Sequence, residues 1–319
     1  MKLTFLGATK TVTGSKFLLD TGSRRILIDC GLFQGLKDLR LRNWATLPLH
    51  PADVDAVILT HAHLDHSGYL PLFARNGFRG PVFCTPATLD LCGILLPDSG
   101  YLQEEEAERA NRKGYSKHHP ALPLYTRLEA VQVLDQLKPV PFAHAFDLGD
   151  GLTARFDHAG HILGAAFITV TGHGMKIVFS GDLGRPKDPI LFPPSRIRDA
   201  DFLLIESTYG DRDHIDEDPL ADFAGIIRRT AARGGTTVIP ANAVGRTQLV
   251  VHYLYRMKRE RLIPDLPIWL DSPMARDATD LFVQHPGLHR LSAAQCKEIF
   301  GIARIANTVD ESKAIDANP

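Results

Sequence analysis

The stretch Asp55–Gly68, DAVILTHAHLDHSG, sets an apolar run directly before His61, His63, Asp65 and His66. The chain holds 14 histidines among 319 residues, so three of them between positions 61 and 66 ask for a reason. AVILT, rich in β-branched residues, reads as a strand. His61 and His63 stand two apart. On an extended chain they point to the same side, whereas on a helix they diverge by about 200°. Both are therefore expected at a strand end turning into a loop, with Asp65 and His66 in the turn that follows and Leu64 free to bury itself. Imidazole and carboxylate together suit zinc, with iron and manganese as alternatives. Four such side chains exceed what one tetrahedral ion needs if it also keeps a position for water. Two adjacent ions would use them better.

Composition narrows the remaining classes. With 44% hydrophobic and 23% charged residues and a formal net charge of −1, the chain has no global basicity to draw a polyanion; a local patch or metal ions would have to do so. Cys30, Cys84, Cys92 and Cys296 make neither a CxxC pair nor a disulfide ladder, which points to a reducing, cytoplasmic setting. The opening MKLTFLGATKTVTG reaches Gly7 before a signal-peptide core could form, and no run approaches the roughly 18 apolar residues of a membrane span. No membrane association is expected.

Along the chain, KLTFLG, SKFLLD, RRILIDCG, AVILT and PVFCT read as strands, SGYLPLFARNG as a helix closed by Gly77, and PATLDLCGILL as a helix opened by Pro86. Residues 98–126 look polar and irregular, apart from the charge-rich helical piece EEEAERANRK. LTARFDHAGH, AAFITVTG, MKIVFSGD and DFLLIEST resume the strands. After residue 208 strand-like TTVIPA and PIWLDS alternate with helix-like segments, a βα rhythm that predicts a parallel-sheet lobe. The expected boundary divides residues 1–208 from 209–319.

Further motifs share the texture of the histidine cluster. HAGHILGAA at 158–166 places His161 near glycines, where backbone can approach a site closely. FSGDLGR at 179–185 ends an apolar strand at Asp182, and IDCG at 28–31 does so at Asp29. Strand ends carrying His or Asp beside Gly are where a rigid sheet presents a site.

With HxHxDH, IDCG, AGHILG and SGDLGR together, the chain resembles the metallo-β-lactamase superfamily. ESTYGDR (206–212), IPANAVGRTQ (239–248) and LDSPMA (270–275) are similar to motifs of its β-CASP branch, whose members process RNA or DNA; the order and spacing most resemble ribonucleases related to the pre-mRNA 3′-end cleavage endonuclease. The resemblance implies an α/β fold, an αββα sandwich with a parallel-sheet α/β β-CASP cap, and two zinc ions. By position, one zinc would take His61, His63 and His161, the other Asp65 and His66, with Asp182 bridging them. Asp29 would hold a histidine ring by its other nitrogen. Glu206 would support catalysis without binding metal.

The function so implied is phosphodiester hydrolysis of RNA, single-stranded by preference. Water shared by two zinc ions loses its proton near neutral pH and becomes a nucleophile, which Asp65 would also orient. Arg246, at a glycine–helix boundary, is a candidate for gripping a phosphate. His158 reads as a strand-end polar residue, His118 and His119 as solvated, and the cations of HYLYRMKRERL (252–262) as a solvated helix face. Asn242 and Leu249 stand where relatives tend to carry an aromatic residue and a glutamate. Relatives also continue beyond the position of Pro319 and there supply two more histidines, one a zinc ligand and one an acid. On that resemblance the second zinc is expected to bind more weakly, and the chain alone to cut poorly and to self-associate as a homodimer or need a partner. The rival functions are a small-molecule metallohydrolase of the glyoxalase or lactamase type and a non-catalytic scaffold subunit.

Overall fold

The computed structural model describes residues 1–213, 219–306 and 308–317; Pro319 lies outside them. The chain divides into two compact units, Met1–Arg185 with Pro193–Glu206, and Pro186–Phe192 with Ser207–Pro319.

The first unit is built on two sheets. One runs in the order β1 (Lys2–Phe5), β2 (Phe17–Asp20), β3 (Arg25–Ile28), β4 (Ala56–Ile58), β5 (Val82–Cys84), β6 (Leu137–Pro139), and the other joins β7 (Ala145–Gly149), β8 (Leu152–His158), β9 (Ala166–Gly172), β10 (Met175–Phe179) and β11 (Phe202–Leu204). Their facing sides make one core: Leu19, Ile26, Ile28 and Ile58 from the first sheet meet Leu152, Phe156, Ile168 and Phe179 from the second. β3 and β4 lie inside a parallel run, and Leu27 and Val57 on their other side are also fully buried. That is why ILI and AVI read as continuous apolar segments. β8 instead alternates, with Thr153 and Arg155 exposed between buried Leu152, Ala154 and Phe156, as a strand with one wet face does.

Five helices accompany these sheets: α1 (Lys37–Leu41), α2 (Leu64–Ser67), α3 (Leu70–Arg75), α4 (Pro86–Lys113) and α5 (Arg127–Val133). α4 packs on β6 and α5. It corrects the expectation of an irregular segment beginning at residue 98, because it runs unbroken through Pro97 to Lys113. A proline there costs a helix bond and crowds the preceding turn. Leu91, Leu95, Leu96, Ala107 and Ala110 are buried on either side of it, and packing of that kind outweighs local preference. α5 begins with a reciprocal capping box between Thr126 and Glu129.

In the second unit α6 (Pro219–Ala232), α7 (Arg246–Arg259), α8 (Pro273–Gln284), α9 (Ala293–Phe300) and α10 (Val309–Ala317) accompany a parallel pair, β12 (Ile268–Leu270) and β13 (Ala303–Ile305). Leu220, Ile227, Leu254 and Met257 join α6 to α7. The expected strand TTVIPA forms no ladder among the described residues, and its Val238 is 84% exposed. β-branched composition alone does not make a strand without a neighbour to pair with.

Candidate metal centre

Register brings the chemical residues to one edge of the sandwich. β3 and β4 are parallel with Ile28 opposite Ile58, so Asp29 and Thr60 emerge side by side. Across the sandwich, His158 at the end of β8 pairs with Ala166 at the start of β9, and Phe179 at the end of β10 pairs with Ile168. The Ala166 amide donates to the Thr60 carbonyl at 2.9 Å, tying the two sheets together at this edge.

From there the chain turns sharply. His63 caps α2, which carries Asp65 and His66. The Asp29–Leu32 loop runs against that helix: Cys30 N–H donates to the His66 carbonyl at 2.7 Å, and Leu32 N–H to that of Leu64 at 2.8 Å. The approach demands glycine at position 31, where a Cβ would stand 1.6 Å from the Asp65 carbonyl oxygen. Gly184 meets the His161 turn in the same way, a Cβ there falling 1.7 Å from the Gly160 carbonyl oxygen.

Four donor groups converge at this edge. His61, His63, His161 and Asp182 each offer one atom, and all four atoms lie within 4.8 Å of one another. His63 Nδ1 is 3.2 Å from both His61 Nε2 and His161 Nε2. Asp182 Oδ2 is 3.4 Å from His161 Nε2 and 3.9 Å from His61 Nε2. Four ligands at about 2.0 Å from a tetrahedral ion stand about 3.3 Å apart, so the spacing fits a metal ion. Protonation fits too: burial, reinforced by the neighbouring imidazoles, holds His61 well below the usual histidine range, and a ligating imidazole must be neutral.

The other oxygen of Asp182 faces a second cluster. Oδ1 lies 3.2 Å from His66 Nε2, which is itself 3.9 Å from Asp65 Oδ2. Burial raises Asp65 and would by itself lower His66, but the carboxylates of Asp29 and Asp182 hold His66 well above its ordinary value. Asp182 is pushed up by burial and, more strongly, down by the His66 hydrogen bond and the surrounding imidazoles, to about 2. It is thus a carboxylate shared between two groups of nitrogens.

Asp29 organises the second cluster from beneath. Its backbone sits at φ +58°, in the left-handed region that side chains seldom adopt. Its carboxylate, 1% exposed, accepts from Ser15 Oγ at 2.9 Å, from Thr60 N at 2.8 Å and Thr60 Oγ1 at 3.0 Å, and contacts His66 Nδ1 at 2.7 Å. The last contact fixes the His66 proton on Nδ1 and turns Nε2 toward Asp65 and Asp182. Ser15 and Thr60 were not among the residues anticipated from sequence. The available signal was a hydroxyl placed where an apolar run meets a polar cluster.

Of the other anticipated residues, Glu206 accepts from Leu183 N–H at 3.2 Å, bracing the peptide that follows Asp182. His158 stacks on Phe142 at 3.8 Å between ring centroids, and His118 and His119 are exposed. Arg246 is the first residue of α7 in the second unit and is exposed; Asn242 nearby accepts from Thr247 N–H through its carbonyl. Among the described residues no helix is long and apolar enough to cross a membrane.

Comparison with known proteins agrees with this geometry. The family description of a beta-lactamase superfamily domain matches residues 24–241, and that of a Beta-Casp domain matches 247–319. The chain belongs to the metallo-β-lactamase superfamily, in its β-CASP branch. This β-CASP chain is 39% identical to Ribonuclease TTHA0252 of Thermus thermophilus, over 88% of its own length and 61% of the relative's. It is 34% identical to Transcription termination factor FttA of Methanosarcina mazei, over 90% and 44%. The FttA of Methanocaldococcus jannaschii is 29% identical, over 100% and 50%. The chain thus spans about half the length of the curated relatives it matches.

Proposed function

We propose that this chain carries the hydrolytic centre of a zinc-dependent ribonuclease that holds two ions, with residues 1–208 as the hydrolase core and 209–319 as the cap. The carrying observation is Asp182, which turns one oxygen to the His61 and His161 nitrogens and the other to His66. His61, His63 and His161 with Asp182 would hold one zinc, and Asp65, His66 and Asp182 the other. The likeness to a ribonuclease and to transcription termination factors supports RNA as the substrate class.

When bound, the metal supplies a Lewis acid that lowers the pKa of water and stabilises charge on phosphoryl oxygens. The chain's own residues set the stage for that chemistry. Asp65, beside His66 Nε2, orients the attacking water and takes its proton. Asp29 keeps the His66 lone pair aimed at the site. Glu206 holds the Leu183 peptide, and with it the direction of Asp182. Arg246 would bind a neighbouring phosphate. β11 ends its sheet with Phe202 56%, Leu203 46% and Ile205 61% exposed, an edge that supports self-association. A scaffold subunit would be expected to have lost its ligands, whereas this donor set is complete through Asp182.

The test is cleavage of labelled single-stranded RNA by zinc-loaded protein, run beside a thioester and a β-lactam, with Asp182→Asn as control. Slow cutting of RNA and of neither small substrate, lost in the control, is expected. Hydrolysis confined to either small substrate would overturn the reading.

A further inference from the structure

Beyond the metal cluster, the segment Leu36–Trp44 departs most from what a folded surface ordinarily shows. Its helix α1 buries no residue at all. Leu36, Leu41 and Trp44 are 75%, 54% and 58% exposed. A segment this apolar and this exposed has no part in the core it leaves.

The segment is nevertheless firmly held. Asn43 is 7% exposed; its Oδ1 accepts from Phe33 N–H at 2.9 Å, and its Nδ2 donates to the Phe33 carbonyl at 2.8 Å. This two-point clamp fixes the backbone one residue before Trp44. The clamp leads back to the metal centre, because Leu32 N–H donates to the Leu64 carbonyl at 2.8 Å and Leu64 precedes Asp65. Followed through these links, the Trp44 backbone stands within roughly 20 Å of Asp65, a reach of a few nucleotides.

Charge supplies the second argument. Lys37, Arg40 and Arg42 are exposed on the segment, against the single acid Asp38. Lys10 is exposed on the adjoining loop, which Thr13 Oγ1 ties to Gln34 N–H at 3.1 Å. Among the described residues none of these four cations enters an ion pair. On α7, by contrast, Arg256 pairs with Glu260 at 3.2 Å and Lys258 with Asp265 at 2.6 Å. Those two α7 cations are neutralised in place, whereas among the described residues Lys10, Lys37 and Arg40 have no carboxylate partner and Arg42 has only a cation–π contact with the Phe33 ring at 5.5 Å, in a chain whose net charge is only −1.

We propose that Leu36–Trp44 is a docking element for single-stranded RNA, with the Trp44 indole as a platform on which a base stacks and Lys10, Lys37, Arg40 and Arg42 as phosphate contacts. An exposed aromatic ring on a fixed backbone beside cations without a carboxylate partner is what sequence-tolerant single-strand binding requires. The inference rests on RNA being the polymer that meets the metal centre.

The chain has two tryptophans, so Trp269→Phe leaves Trp44 as the only indole and keeps a ring beneath Arg304, 5.5 Å away. In that background, with EDTA present so that binding is read without turnover, a 12-nucleotide single-stranded RNA should quench Trp44 fluorescence saturably. Added salt should weaken the effect, and a 12-base-pair RNA duplex should quench less. By anisotropy of the labelled strand, Trp44→Ala should lose about 5- to 160-fold in affinity, the worth of one stacked base, and Trp44→Phe should recover part of it. Trp44 is exposed and α1 buries nothing, so these variants should keep the wild-type melting temperature. Absence of quenching, unchanged affinity in Trp44→Ala, or a response to anionic phosphatidylserine vesicles but not to RNA would each overturn the proposal. Quenching by RNA that the zinc-loaded chain never cuts would support this site and remove the ribonuclease reading. Cutting without quenching would remove this site alone.

Discussion

Replacing Asp29 by asparagine keeps the shape of the side chain and removes its charge. Four contacts register the change: Ser15 Oγ, Thr60 N, Thr60 Oγ1 and His66 Nδ1, at 2.9, 2.8, 3.0 and 2.7 Å. A hydrogen bond to a charged group is worth about 1.5–3 kcal/mol and a neutral one about 0.5–1.5, so about 4–6 kcal/mol of charge assistance is lost over the four contacts. Relief from burying a carboxylate returns part of it, leaving an expected net destabilisation of about 2 kcal/mol. The consequence for metal is more specific. An amide NH₂ facing His66 Nδ1 drives the ring proton to Nε2, which then presents N–H where a ligand needs a lone pair. Loss of such an orienting partner costs roughly 10- to 100-fold in metal affinity, here at the Asp65–His66 cluster and not at the three-imidazole cluster. Zinc titration against a chromophoric chelator, with thermal melts in parallel, should show one tight ion retained and one weakened. An Asp29→Asn protein binding all its zinc with wild-type affinity would refute the argument, whatever its melting temperature.

Other perturbations follow from the same geometry. His63→Ala removes the imidazole whose Nδ1 lies 3.2 Å from two others and should strip most bound zinc with the fold intact; unchanged zinc by elemental analysis would contradict the ligand set. Asp65→Asn should slow RNA hydrolysis by about 10²-fold or more, the scale of a lost positioned base, and a near-wild-type rate would remove its role. Lys16 is buried, donates to the Gly31 carbonyl, and lies over the rings of Tyr69 and Phe33 at 4.6 and 4.8 Å. Burial lowers its pKa from 10.5 to about 8. Below pH 8 both folded and unfolded chains carry this proton and the residue adds no pH dependence. Between pH 8 and 10.5 the unfolded chain holds a proton at this residue that the folded one has shed, so its own contribution to stability should rise with pH by up to about 3 kcal/mol. The buried thiols of Cys30, Cys84 and Cys92, whose pKa values burial raises, act in the opposite direction in both proteins, so urea melts across that window should show the stability of wild type relative to Lys16→Met rising with pH; equal slopes would contradict the burial argument.

The histidine-rich turn was legible because its information is local. Two histidines two residues apart, after a β-branched run, carry their own geometry, and the structure does bring His61 and His63 together at the end of β4. The parallel strands ILI and AVI were legible for a related reason, since burial on both faces leaves an unbroken apolar word. β6 and β13 were missed because LKP and ARI are short and mixed, and become strands only through β5 and β12, partners distant in sequence; β7 was missed because AFDLG is short and mixed, although it pairs with the adjacent β8. α4 was cut short because Pro97 is a local stop signal that long-range packing overrides.

The same distinction runs through the site. Asp29 could be marked as a strand-end aspartate, but its left-handed backbone and its four contacts depend on residues 14, 31 and 37 positions away. His66 is recognisable as a candidate ligand from its neighbours in the motif. Which of its nitrogens faces Asp65 and Asp182 is decided by the carboxylate of Asp29, just beyond the end of β3. Ser15 and Thr60 fared worst, because a hydroxyl beside a strand is common for local reasons and nothing nearby distinguishes that role from holding Asp29. Donor identity is therefore written in the motif, while donor orientation is written in the pairing of β3 with β4. A substitution that preserves every histidine and aspartate of HxHxDH but shifts that register should abolish the second cluster before the first, since His66 takes its direction from Asp29 across the register, whereas His61 and His63 take theirs from adjoining positions in the chain.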